Sequence, residues 1–104
     1  MAKGLKPKVE YYLSGVGHRW RCKSAAGEEL ARGTREVIDL SWLKKEVGRI
    51  LRGCEEGYMY QDVQGKWRFR VRDTDGKILA VSSESYCNRN DCRRALALLI
   101  GSRE

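Results

Sequence analysis

The residues best equipped for metal or nucleophilic chemistry are four cysteines, Cys22, Cys54, Cys87 and Cys92, and a single histidine, His18. Zinc needs four ligands converging tetrahedrally, usually delivered by closely spaced pairs. These cysteines form no Cys-x-x-Cys pair and are scattered along the chain. They read instead as two small buried apolar residues, Cys22 and Cys92, and two residues near element ends, Cys54 and Cys87. Neither a metal site nor a cofactor is expected. No Ser-His-Asp or Cys-His-Asn pattern, Walker loop or dinucleotide fingerprint is present. The acid pairs Asp73/Asp75 and Glu55/Glu56 sit in turn and linker sequence, and His18 falls on the inward face of a strand. The chain reads as non-enzymatic.

A second chemistry is carried by cations at alternate positions. Arg68, Arg70 and Arg72 are interleaved with Trp67, Phe69 and Val71, and Arg19, Arg21 and Lys23 with His18, Trp20 and Cys22. Strand side chains alternate between faces, so an inward apolar set forces all six cations outward together. Such a face suits a phosphate backbone, whose neutralisation releases counterions. It also suits plain solvation, with the cations paired to Glu28, Glu29, Asp73, Asp75 or Glu84. Tyr11, Tyr12, Tyr58, Tyr60 and Tyr86 could add base stacking if they lay beside the cations, although core or sheet-edge positions are the simpler expectation.

The elements that must position these residues occur twice. Sliding the chain by 49 positions aligns residues 9–55 with 58–104 without a gap, and seven positions coincide, including Tyr11/Tyr60, Arg19/Arg68, Arg21/Arg70 and Gly27/Gly76. Each copy reads as three strands and a helix. First strands are expected near Lys8 to Leu13 and Tyr58 to Val63, second strands over His18 to Ser24 and Trp67 to Asp73. Third strands follow the turns at Gly27 and Asp75-Gly76. The hydrophobic period then changes to near 3.6. Ser41 and Asn90 are the expected caps of two helices, with Gly53 and Gly101 as stops.

The expected fold is therefore α+β: two tandem β-β-β-α repeats sharing one antiparallel sheet, with the helices packed on one side. Residues 1–104 form one domain, with repeat 1 at about 8–53, a linker at 54–57 and repeat 2 at about 58–101. A unit of half this length would fold only marginally unless its apolar face were covered by its twin.

The chain has a net charge of +7, from 21 Lys and Arg against 14 Asp and Glu. That balance attracts polyanions or acidic protein surfaces. No apolar run approaches the ~20 residues of a membrane span, and the N-terminus lacks an apolar signal stretch. A cytoplasmic location and no membrane partner are expected, with the protein a monomer or homodimer.

The run Gly65-Lys66-Trp67-Arg68-Phe69-Arg70-Val71-Arg72, then Asp75-Gly76-Lys77-Ile78-Leu79-Ala80-Val81-Ser82-Ser83-Glu84, then Tyr86 with Cys92 six residues on, resembles the YegP-like family of small repeat proteins. The first copy departs from the pattern, with His18 where the family has Trp and Val37 where it has Tyr. Where the family helix carries Asn-Gly-Ile, this chain has Arg94-Ala95-Leu96. The resemblance implies two β-β-β-α units on one sheet, in tandem or across a dimer, and implies no activity.

Two functional expectations follow. In the first, Arg19, Arg21, Lys23, Arg68, Arg70 and Arg72 form a nucleic-acid-binding sheet face. In the second, the chain is an interaction or inhibitory module docking on an acidic or nucleic-acid-binding protein, with Trp42 as a helix-borne anchor. Ordinary packing near the helix start is the competing account of Trp42.

Overall fold

A computed structural model describes residues 7–100, and the expected helix stop Gly101 lies outside them. The chain runs β1 (Lys8–Ser14), β2 (Gly17–Lys23), β3 (Glu29–Gly33), α1 (Leu40–Leu51), β4 (Glu56–Gln61), β5 (Trp67–Arg72), β6 (Ile78–Ser82) and α2 (Arg89–Ile100). The architecture is α+β. All six strands join one antiparallel sheet in the order β1-β2-β3-β6-β5-β4, so β3 and β6 meet at the centre and β1 and β4 are the edges.

The alternation in β2 and β5 decides which face is covered. Trp20, Cys22, Phe69 and Val71 are fully buried and share one core with Leu43, Val47 and Ile50 of α1 and Cys92, Ala95, Leu96 and Leu99 of α2. Both helices therefore pack on the same face. The apolar stripe of each helix meets the inward residues of the strands, and this burial is the main favourable term in the fold.

The two hairpin arms are built from the same local devices. Gly27 and Gly76 take positive φ in the β2–β3 and β5–β6 turns, as the sequence demands. A bulge falls between Cys22 and Lys23 in one arm and between Val71 and Arg72 in the other. His18 and Val37 exchange backbone hydrogen bonds of 2.7 and 2.9 Å, and Trp67 and Tyr86 do the same at 2.7 and 2.8 Å. The bridge is a backbone structure, so it survives the change of side chain.

Several boundaries differ from expectation. The cap of α1 is Asp39, not Ser41: its Oδ1 accepts from the backbone N–H of Ser41 at 2.9 Å and of Trp42 at 3.3 Å. The corresponding residue before α2 is Asn88, not Asn90, and its Oδ1 accepts from the Asp91 N–H at 2.9 Å. Each helix starts earlier than the apolar stripe, and its first turn carries mostly exposed residues. Alanine at either Asp39 or Asn88 should cost about 1 kcal/mol. For a domain of this size that corresponds to a fall of about 5 °C in a circular dichroism melt. The end of α1 matches expectation. Gly53 donates to Ile50 O at 3.1 Å and Cys54 to Arg49 O at 2.9 Å, the paired bonds of a Schellman close. The segment 54–57 is only partly a linker, because β4 begins at Glu56.

The gapless alignment fails in one place. Ser14 and Gly17 enclose two residues, whereas Asp62 and Lys66, joined by an N–H to O bond of 2.8 Å, enclose three. The extra residue shifts β4 by one against β5. Tyr11 pairs with Trp20 on the covered face, while Tyr60 pairs with Arg68 on the open one. The residue placed like Tyr60 is Tyr12, which pairs with Arg19. A slip of one residue reverses every side chain in a strand, so the identity Tyr11/Tyr60 is not a spatial equivalence.

The cysteines fall as read: Cys22 and Cys92 are buried, Cys54 and Cys87 exposed. Burial pushes the Cys22 thiol up to about 11 and raises that of Cys92. A thiol reagent at neutral pH should therefore titrate two cysteines in the native protein and four after denaturation. Rapid native labelling of all four would contradict this packing.

Candidate polyanion-binding sheet face

The six cations singled out from the sequence lie on one surface, the face of the sheet opposite the helices. Register fixes their neighbours. One row runs across all six strands as Glu10, Arg21, Arg32, Val81, Arg70 and Tyr58. To one side of it in the β1–β2 arm lie Lys8 and Lys23, and in the β4–β5 arm Glu56 and Arg72; to the other side lie Tyr12 with Arg19 and Tyr60 with Arg68. Arg32 belongs to this face and was missed in the sequence reading. The alternation of β3, with Ala31 and Gly33 buried on either side, is the signal that could have found it.

Most of these cations have carboxylate partners, but not the expected ones. Arg21 donates to Glu10 at 2.8 Å and Lys23 lies 3.6 Å from the same carboxylate. Arg68 pairs with Asp62 at 2.9 Å, Arg72 with Glu56 at 2.9 Å, Arg32 with Glu29 at 3.2 Å, and Arg19 lies 3.9 Å from Glu36. Of the acids expected to screen the six, Glu29 serves Arg32 instead, and Asp73 accepts the backbone N–H groups of Asp75 and Lys77 in its own turn. The guanidinium groups hold their carboxylates below the usual range: Arg21 for Glu10, Arg72 for Glu56, and Arg68 for Asp62, where turn N–H groups assist.

Two features exceed simple solvation. Arg21 faces Arg32 and Lys8 faces Lys23 across paired strands, arrangements that cost stability because like charges sit directly opposite. Arg70 has no carboxylate partner among the described residues. Its guanidinium lies 4.3 Å from the centre of the Tyr60 ring, and a hydrogen bond with the Tyr58 hydroxyl favours its charged form.

Aromatic rings are interleaved with the cations. Arg21 lies over Tyr12 at 4.9 Å and Arg72 over Tyr58 at 4.7 Å. Tyr12, Tyr58 and Tyr60 are thus on the open face, at its two edges. Tyr11 and Tyr86 are packed against the core, as expected for them.

The profile of a family described as a domain of unknown function (DUF1508) matches residues 62–100, which carry the Trp-Arg-Phe-Arg strand and the Tyr86 bridge. The solution NMR structure of the protein of unknown function yegP from E. coli superposes with a TM-score of 0.70 at 16% identity, covering 94% of this chain and 86% of that one. Residues 62–100 resemble that family, and the chain as a whole shares the fold of the yegP structure. No curated protein matches this chain. The likeness to the E. coli structure concerns the fold.

The remaining candidate, Trp42, is not part of the sheet face. It lies in the first turn of α1, is 48% exposed, and carries the Arg35 guanidinium 5.2 Å above its ring. It borders a cavity of about 340 Å³ also lined by Arg35, Lys45, Glu46 and Lys77. Arg35 is held there by the buried carboxylate of Glu46 at 2.6 Å. Sheet face and Trp42 are therefore two separate surfaces. Among the described residues, no group of three or more His, Cys, Asp or Glu is placed to hold a metal, and no helix is long and apolar enough to cross a membrane.

Proposed function

We propose that this protein is a non-enzymatic, cytoplasmic binding protein whose open sheet face, centred on Arg70, contacts nucleic acid. The observation that carries this reading is the combination of like-charged strand pairs with an arginine left without a carboxylate among the described residues. A face selected for solubility alone would set opposite charges opposite each other. A face that meets a polyanion accepts some self-repulsion, which the ligand's charge relieves. The reading also takes the chain as a tandem duplication of a β-β-β-α unit, supported by the bulges, bridges and caps that recur 49 positions apart.

The test is an anisotropy titration of labelled DNA and RNA oligonucleotides at low and physiological salt. Saturable binding is expected, with log affinity falling linearly against log salt concentration. Absence of binding even at low salt would overturn the reading. The second reading, docking on a protein partner, is favoured by Trp42, a half-exposed aromatic beside a cavity. It places the interface on the helix side, so loss of a partner with Trp42→Ala and no effect of sheet-face substitutions would single it out.

A further inference from the structure

We infer that the sheet face takes single-stranded nucleic acid, and that its base-stacking platform is the pair Tyr58 and Tyr60 on edge strand β4. This inference rests on the polyanion reading above and names the ligand class within it. The two halves of the face are unequal. The β1–β2 arm offers one ring, Tyr12, and Glu10 occupies the place held by Tyr58 in the other arm. Glu10 binds both Arg21 and Lys23, whereas in the other arm Asp62 and Glu56 take Arg68 and Arg72 and leave Arg70 without a carboxylate among the described residues. The β4–β5 arm offers two rings and the arginine without a carboxylate partner. Opposite Arg70, where the first arm has a carboxylate, this arm has a phenol.

Geometry selects the strand state. The centres of the Tyr58 and Tyr60 rings are 6.3 Å apart and the ring planes are inclined by 45°. Consecutive bases in a duplex are stacked at ~3.4 Å, so they cannot separate to meet two such rings. A single strand can splay its bases, giving one to each ring, and stacking on aromatic rings tolerates any base. The cations complete the site. Arg70 and Arg72 lie over the two rings, so a base stacks on the guanidinium plane above a ring or on the ring once the cation turns to a phosphate beside it. Beside them the surface opens into a shallow cavity of about 530 Å³ lined by Tyr60, Gln64, Arg68 and Arg70. Both rings sit at the sheet edge, so a strand can lie across β4 without crossing the whole sheet.

The experiment compares wild type with Tyr58→Leu/Tyr60→Leu and Tyr58→Phe/Tyr60→Phe on oligo-dT, oligo-U, a DNA duplex and inorganic polyphosphate. The wild type is expected to prefer the single strands to the duplex. The leucine pair should lose about tenfold or more in affinity for them, a factor in keeping with stacking by each ring. Its affinity for polyphosphate should stay unchanged, since every cation remains. The phenylalanine pair should retain binding, which separates the loss of rings from a folding defect. Unchanged single-strand affinity in the leucine pair would overturn the stacking platform while leaving the polyanion reading intact. A wild type that binds neither oligonucleotide nor polyphosphate would remove both.

Discussion

Gly33→Ala is expected to destabilise the fold by about 1–3 kcal/mol, the range for overpacking a well-filled core. A Cβ at position 33 would come within 2.4 Å of Trp20 Nε1 and 2.6 Å of Trp20 Cδ1. Trp20 is 1% exposed and its ring lies against Gly33, so relief of the clash requires the surrounding core to shift. Space, rather than backbone freedom, demands the glycine. The other arm shows the alternative solution: Phe69 stands at the equivalent place, and Ser82 opposite it accepts a 3.3 Å hydrogen bond from the Phe69 N–H. A smaller ring leaves room for a side chain. Trp20→Phe should therefore reduce the cost of Gly33→Ala, with a coupling of at least ~0.5 kcal/mol in a double-mutant cycle monitored by urea unfolding. A Gly33→Ala protein that melts like wild type would show that this contact relaxes freely.

Replacing Arg68, Arg70 and Arg72 together is expected to lower nucleic-acid affinity at least ~100-fold at low salt. A charge-assisted contact contributes about 1.5–3 kcal/mol, and each 1.4 kcal/mol is tenfold. The salt slope should fall by about 2–3, as three phosphate contacts are lost. Charge reversal gives the largest effect, but at positions 68 and 72 it sets like charges against Asp62 and Glu56. Glutamine at those two positions with Arg70→Glu avoids that repulsion, and Arg70→Glu alone disturbs no ion pair among the described residues. Undiminished binding by all of these variants, each confirmed as folded by circular dichroism, would move the site off the β4–β5 arm.

The resemblance carried by Gly65 to Cys92 and the period-two patterns of β2 and β5 were enough to place the α+β class, the inward residues Trp20, Cys22, Phe69 and Val71, and the outward set of six cations. These are local properties. Alternation and helical spacing depend on the chain within a few residues, and each buried face follows from them. The turn glycines at 27 and 76 were legible for the same reason, since only their own backbone is involved.

What tertiary structure decided was every question of who stands opposite whom. The order β1-β2-β3-β6-β5-β4 joins the two arms through β3 and β6 and leaves β1 and β4 as edges, a long-range choice that no local pattern encodes. The one-residue difference between the two outer hairpins then moved Tyr60 to the open face, although the gapless alignment matched it with the core-facing Tyr11. Partners of the arginines also had to await the register: Glu10, Asp62 and Glu56 are set beside them by strand pairing, while Asp75 and Glu84, equally acidic in the sequence, are placed elsewhere. Arg70 stands without a carboxylate among the described residues for the same reason. Sequence determined which side chains leave the core, because alternation is a property of the strand; the pairing of strands determined which of them meet, because that depends on the whole sheet.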